Sequence, residues 1–113
     1  MQRAMLLVTL LVLTEACVAD GGSTYAPEGA RRSELIRLVR EDCGSCHGLT
    51  LKGGLGPALL PDALRGKDPA MLLNTILYGR PGTPMPPWRT FLSDDEARWI
   101  VSQLRQGFPD EKH

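Results

Sequence analysis

Residues 41–49 read EDCGSCHGL. Two cysteines stand three apart and a histidine follows the second, so on a helical turn Cys43, Cys46 and His47 share one face. No other stretch constrains the fold as strongly, because few chemistries want thiol, thiol and imidazole in that order. A thioredoxin-like dithiol opens a helix that follows a strand. Here the motif follows a helical pattern, no βαβ pattern occurs, and His47 would be idle. A zinc site needs a fourth N, S or O ligand, and the spares are Cys17 near one terminus and His113 at the other. A disulfide between Cys43 and Cys46 closes a tiny, strained loop. Haem has two vinyl groups on one edge and iron at its centre. Two thiols on one turn can form thioethers to both vinyls, and the next residue can reach the iron. C-x-x-C-H is the recognised attachment pattern for c-type haem.

The start of the chain bears on where such chemistry takes place. Arg3 precedes a ten-residue apolar run, Ala4 to Leu13, and the small-residue stretch TEACVAD follows. That is the order of a secretory signal, too short to span a bilayer. Residues 1–19 are therefore expected to be a cleaved signal peptide, with the functional chain starting at Asp20 in the periplasm. A lipoprotein signal with Cys17 lipidated is the alternative, but Thr14 and Glu15 fit it poorly. Covalent haem attachment to CxxCH in bacteria is an extracytoplasmic process, so signal and motif support each other.

The 113 residues suit one domain. Residues 20–30 read as a polar flexible lead-in, 31–107 as the folded domain and 108–113 as a tail. Thirteen Lys plus Arg balance 13 Asp plus Glu, and no basic stripe of the kind a nucleic-acid binder shows is present. The pattern is all-α. Leu35, Ile36 and Val39 recur at helical spacing over 31–41, in a helix that Gly44 and Gly48 loosen at the cysteines. A short turn is expected near 61–65. Asp68 as N-cap and Pro69 at the first position open a helix over 69–78, which Gly79 and Pro81 end. Met71, Leu72, Thr75 and Ile76 are expected on one face of it. Ser93 and Glu96 form a capping box for a last helix, with Ala97, Ile100, Val101 and Leu104 as its apolar stripe and Gly107 and Pro109 as its stop. With 12 Gly and 9 Pro in the whole chain, the connections are long and the buried apolar area is limited. Something beyond the chain is expected to complete the core.

Thioether sulfur is a suitable sixth ligand for haem iron. Met1 and Met5 leave with the signal. Met71, among Leu72, Leu73 and Ile76, reads as core. Met85 lies in GTPMPPW, between Pro84 and Pro86, where fixed φ angles and missing donors would present its side chain rigidly. Met85 is the expected partner of His47.

Taken together, the CGSCHG turn, the GLGPALL loop, the helix before GTPMPPW and the LSDDEARWIVSQL helix resemble the class I cytochromes c over Leu35 to Leu104. The resemblance implies an all-α fold of three main helices plus short turns around one covalently bound haem c. It implies Cys43 and Cys46 as thioether anchors, and His47 and Met85 as axial iron ligands. It further implies that His47 donates its other ring N–H to the carbonyl of Pro57 or of Gly56, and that Leu59 and Leu60 contact the haem. Trp88 matches an aromatic near the haem edge, either donating its indole N–H to a propionate or simply packing. GLTLKGGLGPALLP and ILYGRPGTPMPPW are most similar to the cytochrome c-55X group, encoded with cytochrome cd1 nitrite reductase in denitrifiers. That implies a periplasmic electron carrier rather than an enzyme, with redox proteins such as that nitrite reductase as partners. The alternative is an accessory role in haem d1 assembly or nitrite reductase maturation.

Overall fold

The computed structural model describes residues 24–110, and these contain helices, turns and loops with no strand. The expected signal peptide, the first part of the lead-in and residues 111–113 lie outside them. No helix among the described residues is long and apolar enough to cross a membrane.

One helical run carries the chain from Gly29 to His47. It begins as α1 (Gly29–Arg37), continues as a π-helical turn (Leu38–Cys43) and returns to α geometry in α2 (Gly44–His47). The structure departs here from the expectation that Gly44 loosens the helix. Gly44 stays helical and buried, and only Gly48 ends the run. The i→i+5 bonds of a π segment widen the turn. The wider turn changes the angular register between the Leu35–Ile36–Val39 stripe and the cysteine-bearing end, and Cys43 packs against the same core cluster as that stripe.

The loop after Gly48 folds back on that rod. Gly53 N–H donates to His47 O and Gly56 N–H to Cys46 O, each at 2.8 Å. These bonds satisfy carbonyls that every helix C-terminus leaves orphaned. Leu51 anchors the loop: it is 1 % exposed, and Leu59 N–H donates to its carbonyl at 2.8 Å. It is also the one described non-glycine residue with positive φ, at 59°. A buried leucine in that region is strained unless its side-chain burial compensates.

The short α3 (Pro61–Leu64) and α4 (Pro69–Tyr78) lie where the sequence predicts. The Asp68 carboxylate accepts from Ala70 N–H at 2.9 Å and caps α4. The face of α4 differs from expectation. Leu77 is buried, Leu72 and Ile76 are half-buried, and Met71 is 45 % exposed rather than core. Its sulfur lies 3.7 Å from the Thr75 hydroxyl.

The last helix, α5 (Asp94–Gln106), has both halves of its capping box, Glu96 N–H to Ser93 Oγ and Ser93 N–H to Glu96 Oε1, each at 3.1 Å. It packs on α3 and α4. Its Trp99, Ile100 and Leu104 join Leu35, Ile36, Val39, Leu51, Leu64 and Leu92 in one core cluster.

Two arginines fasten the first helical run to the C-terminal part. Arg40, in the π turn, donates to Phe108 O at 2.8 Å and pairs with Asp110, its guanidinium over the Phe108 ring. Arg31 on α1 donates to the Glu96 carboxylate and to Phe91 O. Glu96, only 8 % exposed, thus serves both its own N-cap and the opposite helix. The bond from Arg31 holds the Glu96 carboxyl below the usual range, against the opposing effect of burial. A group depressed in the folded state stabilises above its unfolded pKa, and that contribution is lost as pH falls through the folded value. Glu96→Gln is therefore expected to weaken the protein at neutral pH and to flatten the acid side of its stability curve. Urea unfolding of parent and variant between neutral pH and pH 3 reads this directly.

Candidate haem site

The π turn ends at Cys43 and α2 carries Cys46 and His47, so one continuous helical end presents two thiols and an imidazole. Both thiols are free. Burial, assisted by the Asp42 carboxylate, pushes the Cys43 thiol up to about 11. In the chain alone it is thus a neutral thiol at pH 7. Ser45 Oγ donates to Asp42 O at 2.8 Å across the turn between the cysteines.

His47 is fixed from behind. Its Nδ1 lies 2.7 Å from Pro57 O. A carbonyl only accepts, so the ring carries its proton on Nδ1 and leaves the Nε2 lone pair free for a metal. The sequence leaves Pro57 and Gly56 both open for this carbonyl; in the structure it belongs to Pro57. Gly56 has a different task. A Cβ there would stand 2.8 Å from His47 Cε1 and Nδ1. Only glycine lets the backbone pass this close to the ring. The motif alone does not single out this residue, although a glycine directly before the loop proline is its signal.

Several apolar side chains at the edge of the core are incompletely covered, Leu38 and Phe108 among them. Cys43, Leu59, Leu72, Ile76 and Trp88 pack against the core cluster yet remain only half-buried. Leu60, expected beside Leu59 as a haem contact, is 36 % exposed and stands apart from this set. Trp88 stacks at a tilt on Phe91, ring centroids 5.8 Å apart, and its backbone N–H donates to Ile76 O at 2.9 Å. Its indole N–H has no protein acceptor among the described residues.

Met85 is half-buried in the loop that follows α4. Arg80 N–H donates to Met85 O at 3.2 Å, and Met85 N–H donates to Thr83 Oγ1 at 3.3 Å. The Thr83 hydroxyl also donates to Arg80 O at 2.7 Å. Trp88 N–H and Arg89 N–H then close on Ile76 O and Leu77 O, stapling the loop to the end of α4.

These residues fit a haem. Two unpaired thiols sit on one turn, an imidazole has its tautomer set, a thioether lies in a closed loop, and Cys43 shares the edge of the core with half-buried Leu59, Leu72, Ile76 and Trp88. They do not fit zinc, because no group of three His, Cys, Asp or Glu side chains converges among the described residues.

Comparison with known proteins agrees. Residues 30–102 match the family model described as cytochrome c oxidase, cbb3-type, subunit III. The chain is 54 % identical over 97 residues to cytochrome c55X of Pseudomonas aeruginosa, an alignment covering 86 % of this chain and 82 % of that relative. A solved c-type cytochrome NirC superposes with a TM-score of 0.69 at 57 % identity, over 72 % of this chain and 95 % of that one. A further similarity, 42 % over 74 residues, is to dihydro-haem d1 dehydrogenase of Pseudomonas aeruginosa, spanning 66 % of this chain but 15 % of that relative. The chain belongs to the class I c-type cytochromes, and within them to the cytochrome c55X family. Its all-α fold is that of the class, and it carries one covalently bound haem c.

Gly56→Ala forces a methyl group against the His47 ring. Overpacking of this kind costs about 1–3 kcal/mol. Gly66, where a Cβ meets nothing within 4 Å, is the comparison site. Thermal melts of the two holo-variants are expected to show a lower midpoint for Gly56→Ala than for Gly66→Ala, although Gly66 has the positive φ.

Proposed function

We propose that the chain is a periplasmic one-electron carrier that reduces cytochrome cd1 nitrite reductase in denitrification. Cys43 and Cys46 are the thioether anchors, and His47 and Met85 are the axial iron ligands. The observation that carries this reading is the Cys43–His47 turn, with two free thiols and an imidazole oriented by Pro57. The bound haem supplies a reversible Fe(III)/Fe(II) couple.

The chain's own residues keep reorganisation small. The bond to Pro57 holds the His47 ring at one angle, and the closed loop holds Met85, so neither ligand needs to move between oxidation states. With both axial positions filled by protein, no substrate has to enter. Trp88 has an indole N–H free to donate to a haem carboxylate, and buried indoles generally find such an acceptor. Leu59 is one of the half-buried apolar side chains at the edge of the core.

Docking falls to the loop beside the turn. Gly56 touches His47 and bonds to Cys46, and the neighbouring Leu55 is 94 % exposed, with Leu49 at 71 %. Two projecting leucines and a zero net charge suit a small, short-lived apolar contact of the kind redox partners form. They do not suit strong electrostatic steering.

The choice of partner rests on the kinship with cytochrome c55X. The similarity to dihydro-haem d1 dehydrogenase favours a second reading, an accessory role in haem d1 assembly or in maturing the nitrite reductase. Stopped-flow mixing of the reduced protein with oxidised cytochrome cd1 nitrite reductase separates the two. Electron transfer is expected within the enzyme's turnover time, with a rate that changes little with ionic strength. Slow or absent transfer supports the accessory role, and a steep fall with salt contradicts the apolar docking surface. In the same preparation the Met-to-iron charge-transfer band is expected in the ferric parent and absent in Met85→Ala. A parent without that band would have an open iron, as in a sensor or catalyst.

A further inference from the structure

Met85 is held through its backbone, and the chain meets that backbone at an unusual point. Gly79, directly after α4, has φ +70° and ψ −170°. A Cβ at Gly79 would stand 2.6 Å from Met85 O and 2.9 Å from both Pro86 C and Pro87 N. All three are backbone atoms, so none can swing aside as the tip of a side chain would. Two of them belong to prolines, whose fixed φ narrows the ways the chain can yield. Gly82, in the same loop, has a similar φ of +77° but meets nothing within 4 Å.

The rest of the loop converges on the same place. Met85 O accepts from Arg80 N–H, and Met85 N–H donates to Thr83 Oγ1. Thr83 returns its own N–H and O–H to Arg80 O, at 3.1 and 2.7 Å. Past Met85, Trp88 and Arg89 donate to the last carbonyls of α4, and Arg89 lies over the Tyr78 ring. Both polar backbone atoms of Met85 are thereby bonded inside its own loop, and the loop rests on Gly79.

We propose that Gly79 is a positioning residue for Met85: the bare Gly79 backbone is the seat on which the ligand loop rests, and Thr83 is the clasp that keeps the loop closed over it. This inference rests on Met85 being the sixth iron ligand. A thioether is a weak ligand for Fe(III), so the oxidised protein is the state that senses a displaced seat. The methyl of an alanine at 79 has to push Met85 and Pro86 away from α4, whereas an alanine at 82 adds backbone strain in open space.

The test uses oxidised holo-protein of the parent, Gly79→Ala, Gly82→Ala, Thr83→Val and Thr83→Ser. Two quantities are read: the Met-to-iron charge-transfer band and the dissociation constant for added imidazole. Imidazole competes for the position Met85 fills, so its apparent affinity rises with the fraction of molecules in which Met85 is off the iron. The band is expected in the parent, in Gly82→Ala and in Thr83→Ser. Gly79→Ala is expected to lose it and to bind imidazole at least about tenfold tighter than Gly82→Ala. Thr83→Val, which removes the hydroxyl without backbone strain, is expected to shift both readouts in the same direction. Retention of the band in Gly79→Ala, with imidazole affinity within about twofold of Gly82→Ala, overturns the proposal. If Gly79→Ala yields no folded holo-protein, an unchanged band in Thr83→Val overturns it instead. Absence of the band from the parent removes Met85 as ligand, and this inference with it; a band in the parent that survives in Gly79→Ala, with imidazole affinity unchanged to within about twofold, removes the inference alone.

Discussion

Cys43, Leu59, Leu72, Ile76 and Trp88 each press one side against the core and leave the other uncovered by protein. Apolar surface left in water is unfavourable by roughly 25 cal/mol per Å², and a chain this short has little other core to offset it. The covalently bound haem is an apolar body of the kind that can cover such side chains, and we propose that it does. Its proposed attachment points and these half-buried side chains come from the same pieces of chain. Cys43 belongs both to the CxxCH turn and to the apolar set, and Leu59 ends the loop whose Pro57 orients His47. On this proposal the prosthetic group is part of the packing as well as the redox centre.

Both proposed ligands are managed by the backbone more than by neighbouring side chains. His47 is oriented by a main-chain carbonyl and approached by the bare Cα of Gly56. Met85 is closed into a loop by main-chain bonds and the Thr83 hydroxyl, and that loop lies on the bare Cα of Gly79. The density of glycine and proline, which from composition alone suggests only loops, has a physical purpose at these places. Glycine admits close approach and proline limits where the chain can go. The helical frame is tied independently of the haem site. Arg31 to Glu96 and Arg40 to Phe108 clamp the first helical run to the C-terminal part.

Features encoded by neighbouring residues are legible in the sequence alone. Asp68 and Pro69 mark the start of α4, and Ser93 with Glu96 marks the start of α5, because capping is a matter of three or four consecutive residues. The CxxCH turn is legible for the same reason. Features set by distant contacts are not. The sequence does not distinguish the i→i+5 bonds of the π turn from ordinary helix, so Gly44 reads as a breaker when it is buried within the run. Glu96 reads only as a member of its own capping box, and its second partner, Arg31, is 65 residues away. Met71 reads as core from its apolar neighbours, yet the side of α4 that packs carries Leu72, Ile76 and Leu77. Which of two adjacent carbonyls holds His47 depends on the path of a loop pinned by Leu51 at positive φ, and no local rule encodes that path.

The central claim is that the haem completes a core the chain cannot close alone. The most direct measurement is thermal unfolding of the residue 20–113 chain with Cys43→Ala and Cys46→Ala, prepared without haem, beside the holo-protein. The haem-free chain is expected to show no cooperative transition, because a partner bound only by the folded state supplies the stability that is missing without it. A sharp transition near the holo-protein's midpoint would contradict the claim, since the polypeptide would then close its core unaided.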